Sequence, residues 1–286
     1  MLAPWDERYP SREVLRSEVE SMLAAFVEAL FEAIPEAEID GIYAKGSAFK
    51  EWDSPLDYVP ELSDVDIHVL FKDVAAVKRH LGTLQQALNI QASVEALYFA
   101  RVPVPVHVPR PQLMIANHLV TEEDYVPSPT GMVRVIYGKD YPGLDTYDPE
   151  RIRRIDCQHL LDQEALLDRL PLMLIDKPFK YIWRGLRTLS WNVSPVGPRV
   201  LSLLGAAYDD AWGMNRTEIV SRLSELGEQR LADDYSQFYL AGWDYFLSDG
   251  LDTDAGRLCL ASGARVIDGG ISMARAWLGA RGSARC

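Results

Sequence analysis

Two aspartates, Asp64 and Asp66, stand one residue apart in the segment Ser63–Val69, which reads SDVDIHV. The β-branched residues around them favour a β-strand, and alternate residues of a strand point to one face. We therefore expect both carboxylates side by side, with Val65 turned to the core. Adjacent carboxylates repel each other unless a cation lies between them. Hard oxygen ligands in this arrangement suit Mg²⁺, which completes its coordination with substrate phosphates.

A glycine–serine turn precedes these aspartates in the chain. Gly46 and Ser47 follow the strand-like run Ile39–Ala44. A turn of this kind lets backbone N–H groups and the serine hydroxyl approach an anionic phosphate closely. Each feature alone is common by chance, but the two occur in order and between two predicted strands.

In that order the residues resemble the nucleotidyltransferase superfamily of DNA polymerase β, whose pattern is Gly-Ser, a spacer, and Asp-hydrophobic-Asp on the next strand. The serine before the first aspartate makes the chain look most like the aminoglycoside (antibiotic) nucleotidyltransferases. Lys50 stands where many members have a basic residue that approaches the nucleotide phosphates. The spacer from Ser47 to Asp64 is longer than usual, which affects the placement of Lys50.

The resemblance also requires a third carboxylate on a later strand, and Glu95 in ASVEALYF fits this position. It implies that Asp64, Asp66 and Glu95 hold two Mg²⁺ ions, with ATP as the expected co-substrate. An acceptor hydroxyl would attack the α-phosphorus and pyrophosphate would leave. Glu95 would act as a metal ligand, as a general base, or as both.

A basic stripe is predicted in the second half of the chain. Lys177, Lys180, Arg184 and Arg187 follow helical spacing along one face of a helix predicted over 177–191. In a two-domain nucleotidyltransferase such a stripe would neutralise the β- and γ-phosphates, so Lys177 and Lys180 join the predicted nucleotide-binding residues. A solvated helix face is the alternative.

The predicted elements change character near residue 150. Before it, helices are predicted over 11–34 and 74–88, and strands over 39–44, 65–71, 91–102 and 132–137, with a proline-rich loop or edge at 103–111. After it, only helices are predicted, over 150–170, 177–191, 198–212, 216–230, 233–247 and 254–278. The sequence thus predicts an α+β protein, with a small mixed-sheet catalytic domain over 1–149 and a helical bundle over 150–286.

The charge of the chain indicates which kind of acceptor molecule the enzyme would use. The net charge is −13, and residues 1–149 carry 24 acidic against 12 basic side chains. This excess disfavours nucleic acid and favours a cationic small-molecule acceptor such as an aminoglycoside. Acidic segments at 51–61 and 122–124 would attract ammonium groups, and Trp52 and Tyr58 would stack on sugar rings. Solvated acidic loops are the alternative.

Two other functions are compatible with the sequence: transfer of the nucleotide to a protein partner, as in antitoxin-like adenylylation, and nucleotide binding without catalysis. Loss of one carboxylate would mark the second of these. The cysteines Cys157, Cys259 and Cys286 form neither a disulfide nor a zinc pattern, and no signal peptide or membrane span is recognisable. We therefore expect a cytoplasmic protein with no membrane partner, and an oligomer could complete the site.

Overall fold

The computed structural model describes residues 4–122, 125–143 and 147–283. The protein is α+β: it contains many helices and one small mixed sheet of four strands. The strands are β1 (Ile39–Lys45), β2 (Asp64–Phe71), β3 (Arg110–Ile115) and β4 (Arg134–Gly138). The helices are α1 (Arg12–Ala33), α2 (Val74–Leu81), α3 (Leu84–Arg101), α4 (Ala116–Leu119), α5 (Pro149–Leu161), α6 (Glu164–Leu174), α7 (Ile182–Val193), α8 (Val196–Leu203), α9 (Tyr208–Gly213), α10 (Arg216–Glu225), α11 (Gln229–Leu247) and α12 (Thr253–Ser283).

Two compact units make up the chain. The described residues within Trp5–Glu51 and Ser63–Asp145 form one, which we call the sheet unit. The described residues within Trp52–Leu62 and Thr146–Cys286, together with Pro4, form the other, which we call the helical unit. The segment Trp52–Leu62, which lies between the Gly46–Ser47 turn and Asp64, thus belongs to the helical unit. A single domain boundary near residue 150 does not account for this segment.

The sheet has the strand order β3-β2-β1-β4, in which β2 runs antiparallel to β1 and parallel to β3. Helix α1 packs against β2, β3 and α3. It starts at Ser11, whose side chain accepts a hydrogen bond from the backbone N–H of Val14, and it ends before Pro35, which cannot continue a helix. Fully buried Val65, Ile67 and Val69 alternate along β2 with the two aspartates. The predictions of α1, β1 and β2 are confirmed.

The strand predicted over 91–102 is wrong, because this segment belongs to helix α3. Its buried residues Ile90, Val94 and Tyr98 lie four residues apart, the period of a helix. Thr83 and Gln86 cap its N-terminus reciprocally, a signal that was readable in the sequence. The helix predicted over 74–88 likewise ends at Leu81.

Strand β3 pairs with β2 on the side away from β1. It lies partly within the segment 103–111, which was predicted as a proline-rich loop or edge. Pro111 is the second residue of β3. Proline lacks the N–H that an inner strand requires, but β3 is the edge of the sheet, where one side of the strand needs no partner.

In the helical unit, every element described between 147 and 283 is a helix or a helical turn. Helix α12 packs against α11, α7, α5 and α8. The core is rich in aromatic rings, among them buried Tyr235, Phe238, Tyr239 and Trp243 of α11. No helix in the ranges described is long and apolar enough to cross a membrane.

Asp156 gives the helical unit a testable pH dependence. Burial raises the pKa of Asp156 to about 6, against the opposing effects of the Ser202 hydrogen bond and the Arg199 charge. The folded state therefore holds this proton more tightly than the unfolded state does. Stability from Asp156 is fully present below the unfolded pKa of about 4 and is lost as pH rises through about 6.

We expect Asp156→Asn, which mimics the protonated form, to remove this pH dependence. The free energy of unfolding, measured with urea, should fall by about 1–3 kcal/mol more in the wild type than in the variant between pH 4 and pH 7. Parallel pH profiles for the two proteins would contradict the prediction.

Candidate functional site

The two aspartates of β2 lie on the same face of the sheet as residues from both neighbouring strands. In the register, Asp66 is opposite Lys45 of β1 and Gln112 of β3, and Asp64 is opposite Arg110 of β3. Side chains of paired residues stand on the same face of a sheet. One polar face of the sheet unit thus combines two carboxylates, an ammonium, a guanidinium and an amide.

The glycine–serine turn meets this face at Asp66. Gly46 has φ 88° and ψ −173°, a conformation that is essentially restricted to glycine. A Cβ atom added to Gly46 would collide with Oδ2 of Asp66 and would lie 3.1 Å from its Cγ. The Asp66 carboxylate therefore sits directly over the turn, and the two sequence motifs form one site.

Ser47 opens a short 3₁₀ turn, Ser47–Phe49, directly after Gly46. The backbone N–H of Phe49 donates to the Gly46 carbonyl at 3.2 Å, which closes the turn. Lys50 follows it, and its carbonyl accepts a hydrogen bond from Arg16 Nη2 at 2.8 Å. The backbone of Lys50 is thus tied to α1 at the point where the chain leaves for the helical unit.

Asp64 is only 8% exposed and is bound by Arg110. Arg110 Nε donates to Oδ1 at 2.8 Å, and Arg110 Nη2 forms an ion pair with Oδ2. A guanidinium that engages both oxygens of a carboxylate forms a strong, geometrically specific pair. The protein therefore already places a cation on one of its two predicted metal ligands, and Arg110 was not among the predicted site residues.

Lys45 was also missed, although it directly precedes Gly46. Burial lowers the pKa of Lys45, and the nearby charge of Asp66 raises it in opposition. Its Nζ donates to Ser128 Oγ at 2.8 Å. The antiparallel pairing of β1 with β2, which both predicted strands implied, was the signal that could have placed Lys45 beside Asp66.

His68 lies on the same face of β2 and is fully buried. Burial, with a smaller effect from the Lys45 charge, lowers the pKa of His68 to about 3, so its ring is neutral at physiological pH. Its Nδ1 lies 3.3 Å from the Tyr141 hydroxyl. The His68 ring also packs against the Tyr141 ring, with centroids 5.8 Å apart.

The prediction that Glu95 is a strand carboxylate beside Asp64 and Asp66 is wrong. Glu95 lies on helix α3, and its side chain is exposed. Across the part of the chain that the structure describes, no three His, Cys, Asp or Glu side chains are grouped to hold a metal ion. Two carboxylates, Asp64 and Asp66, share this face of the sheet, and the donor set expected for two metal ions is incomplete.

We expect Glu95→Gln to leave nucleotide affinity and the fold unchanged, because an exposed helix side chain away from the sheet has no ligand to lose. Nucleotide binding measured by calorimetry, beside thermal unfolding, checks this. A tenfold loss of affinity without loss of stability would return Glu95 to the site.

The basic stripe is not a helical face. Helix α7 begins at Ile182, so Lys177 and Lys180 precede it, and only Arg184 and Arg187 lie on it. Lys177 Nζ pairs with Asp176 at 2.6 Å, and Arg187 donates to the Glu61 carbonyl within the helical unit. The nucleotide-binding role of Lys177 and Lys180 stays a prediction without the stripe that suggested it.

The acidic segment 51–61 is not an open loop. Trp52 and Tyr58 are buried and stack on each other, with ring centroids 4.3 Å apart, so neither ring is free for a sugar. Asp57 is 1% exposed. Glu51 and Asp53 are exposed. Of the other acidic segment, Glu122 is exposed, and 123–124 lie outside the described residues.

Comparisons of the chain with protein-family models, with curated proteins and with solved structures find no match.

Proposed function

We propose that the protein binds a nucleoside triphosphate with Mg²⁺ and transfers its nucleoside monophosphate, AMP if the nucleotide is ATP, to an acceptor hydroxyl. The acceptor oxygen forms a bond to the α-phosphorus, the bond from that phosphorus to the bridging oxygen breaks, and pyrophosphate leaves. The hydroxyl proton passes to water. We assign this activity to residues 1–149, with 150–286 as a helical domain.

The observation that carries the proposal is the contact between Gly46 and Asp66. A turn that exposes backbone N–H groups and a serine hydroxyl suits phosphate oxygens, and a carboxylate directly above it suits the cation that accompanies them. A Cβ at Gly46 would push the Asp66 carboxylate away from the turn, so glycine at this position keeps the two groups in contact.

In this proposal each group has a separate task. Asp66, with Asp64 beside it, would hold the Mg²⁺ ion, which would supply positive charge against the phosphates and help to orient the triphosphate. Ser47 and the backbone of the turn bind a phosphate. Lys45 and Lys50 supply positive charge near the triphosphate.

Nucleotide binding without transfer is the second candidate. It is favoured by the Arg110–Asp64 ion pair and by the amide of Gln112 opposite Asp66, where an active centre with three carboxylates would have an acidic side chain. The two candidates share the nucleotide and differ only in the release of pyrophosphate.

For the acceptor, we propose a small cationic molecule such as an aminoglycoside. The support is the acidic composition of residues 1–149. Within the first acidic segment, Trp52, Asp57 and Tyr58 are buried, whereas Glu51 and Asp53 are exposed. A protein acceptor is the alternative.

The test is to incubate the full chain with Mg²⁺, each nucleoside triphosphate in turn, and a panel of aminoglycosides and neutral sugars, and to measure pyrophosphate. Asp66→Asn and Glu95→Gln are the paired controls, of which only the first should abolish release. Acceptor-dependent release supports transfer. Saturable nucleotide binding without release, also with candidate protein partners added, supports the second candidate, and absence of nucleotide binding overturns both.

A further inference from the structure

The polar face of the sheet carries two positive side chains beside its two aspartates. Arg110 engages both oxygens of Asp64, and Lys45 is paired in register with Asp66. In formal charge, these two basic side chains offset the two carboxylates. Two divalent ions would add four positive charges to this face.

Strand β3 supplies no further anion. The residues of β3 that stand opposite Asp64, Asp66 and His68 are Arg110, Gln112 and Met114. Two Mg²⁺ ions that share a site need bridging carboxylates, and among the described residues no third one joins Asp64 and Asp66. The strand that could have completed a two-ion site contributes a guanidinium instead.

Arg110 places the cationic fork of its guanidinium on the two oxygens of Asp64. Asp64 is buried, so that breaking the pair would leave a charge with little access to water. A second metal ion would have to displace Arg110 against this cost.

We infer that the site takes a single divalent cation, held chiefly through Asp66, and that the guanidinium of Arg110 occupies the position of the second cation at Asp64. This inference rests on the proposed nucleotide site. It identifies Arg110 as a residue that sets how many metal ions bind with the nucleotide.

The test is to count Mn²⁺ ions by electron paramagnetic resonance on the full chain, with α,β-methylene-ATP as a nucleotide that cannot be cleaved at the α-phosphorus. We expect one Mn²⁺ per chain for the wild type and for Arg110→Lys, which keeps the charge. Arg110→Gln should tighten Mn²⁺ binding at least fivefold. Arg110→Asp should bind two Mn²⁺ ions with a spin-coupled signal.

Arg79→Gln is the matched control, because Arg79 is an exposed arginine of the same unit that pairs with a carboxylate, Glu38, at 3.0 Å. It should not change Mn²⁺ binding. Thermal unfolding of each variant establishes that it folds, and Arg110→Gln keeps the inference falsifiable if Arg110→Asp does not fold.

Two Mn²⁺ ions on the wild type with nucleotide bound would overturn the inference and leave the proposed function standing. Unchanged or weaker Mn²⁺ binding in folded Arg110→Gln would also overturn it. If the wild type binds neither Mn²⁺ nor the nucleotide, the proposed function itself fails.

Discussion

Gly46→Ala should reduce the affinity for Mg²⁺-nucleotide at least a hundredfold while the protein still folds. The new methyl group collides with Oδ2 of Asp66, so the carboxylate must rotate away from the turn where we place the phosphate. The backbone conformation of Gly46 adds strain of about 1–3 kcal/mol for any residue with a Cβ. Calorimetric titration with nucleotide, together with urea unfolding, separates the lost binding from the lost stability.

Gly227→Ala is the matched control for Gly46→Ala. Gly227 has nearly the same φ, 87°, but a Cβ there meets nothing within 4 Å. Gly227→Ala should lower the free energy of unfolding through backbone strain and leave the nucleotide affinity unchanged. Equal losses of affinity in the two variants would mean that strain, and not the contact with Asp66, explains the effect, and the proposed site would lose its main support.

Asp57→Ala should destabilise the protein by about 3–5 kcal/mol, the largest stability effect that we expect. Asp57 is almost completely buried and accepts four hydrogen bonds: from the backbone N–H groups of Asp53, Ser54 and Thr217 at 2.8–3.0 Å, and from the Thr217 hydroxyl at 2.7 Å. Removing the carboxylate leaves buried donors without an acceptor, and each costs about 1–3 kcal/mol. Urea unfolding measures the loss.

Asp53→Ala should cost less than about 1 kcal/mol, because Asp53 is exposed and its carboxylate accepts one hydrogen bond, from Asn215 Nδ2. This contrast distinguishes a structural Asp57 from one that attracts a cationic acceptor. If Asp57→Ala keeps wild-type stability and instead raises the Michaelis constant of a cationic acceptor, the structural account of Asp57 is wrong.

Patterns that repeat over a few residues made part of this fold predictable. The β-branched run of β2 and the helical period of α1 are both local, and the structure has both elements. Helix α3 was mistaken for a strand because the hydrophobic residues of ASVEALYF could be read in either period. The Thr83–Gln86 capping box favoured the helix.

Other features depend on partners that are remote in the sequence. The segment Trp52–Leu62 contains acidic residues and prolines, which are typical of a surface loop. Its burial depends on α10 and α11: Thr217 binds Asp57, and the Trp243 indole donates to the Pro55 carbonyl at 2.7 Å. A local sequence pattern does not predict contacts between residues that lie about 160 or more positions apart.

The candidate site shows the same division. Gly46, Ser47, Asp64 and Asp66 were identified from spacing on two strands, and the structure joins Gly46 to Asp66. Arg110 was missed because β3 contains Pro111 and lies at an edge, so its strand pattern is weak. Glu95 was chosen on the strength of a strand that does not exist. Strand β3 places Arg110 and Gln112 beside the aspartates, where the sequence predicted a third carboxylate.

In the function that we propose, Asp66 binds a cation together with a nucleotide at the Gly46 turn. The most direct test of this binding is the dissociation constant of ATP measured by calorimetry on the wild type and on Asp66→Asn, each with Mg²⁺ and with the metal removed by a chelator. We predict that Mg²⁺ tightens ATP binding to the wild type at least tenfold and that Asp66→Asn abolishes this gain. Equal ATP affinity in all four measurements, or no ATP binding to the wild type, would contradict the account.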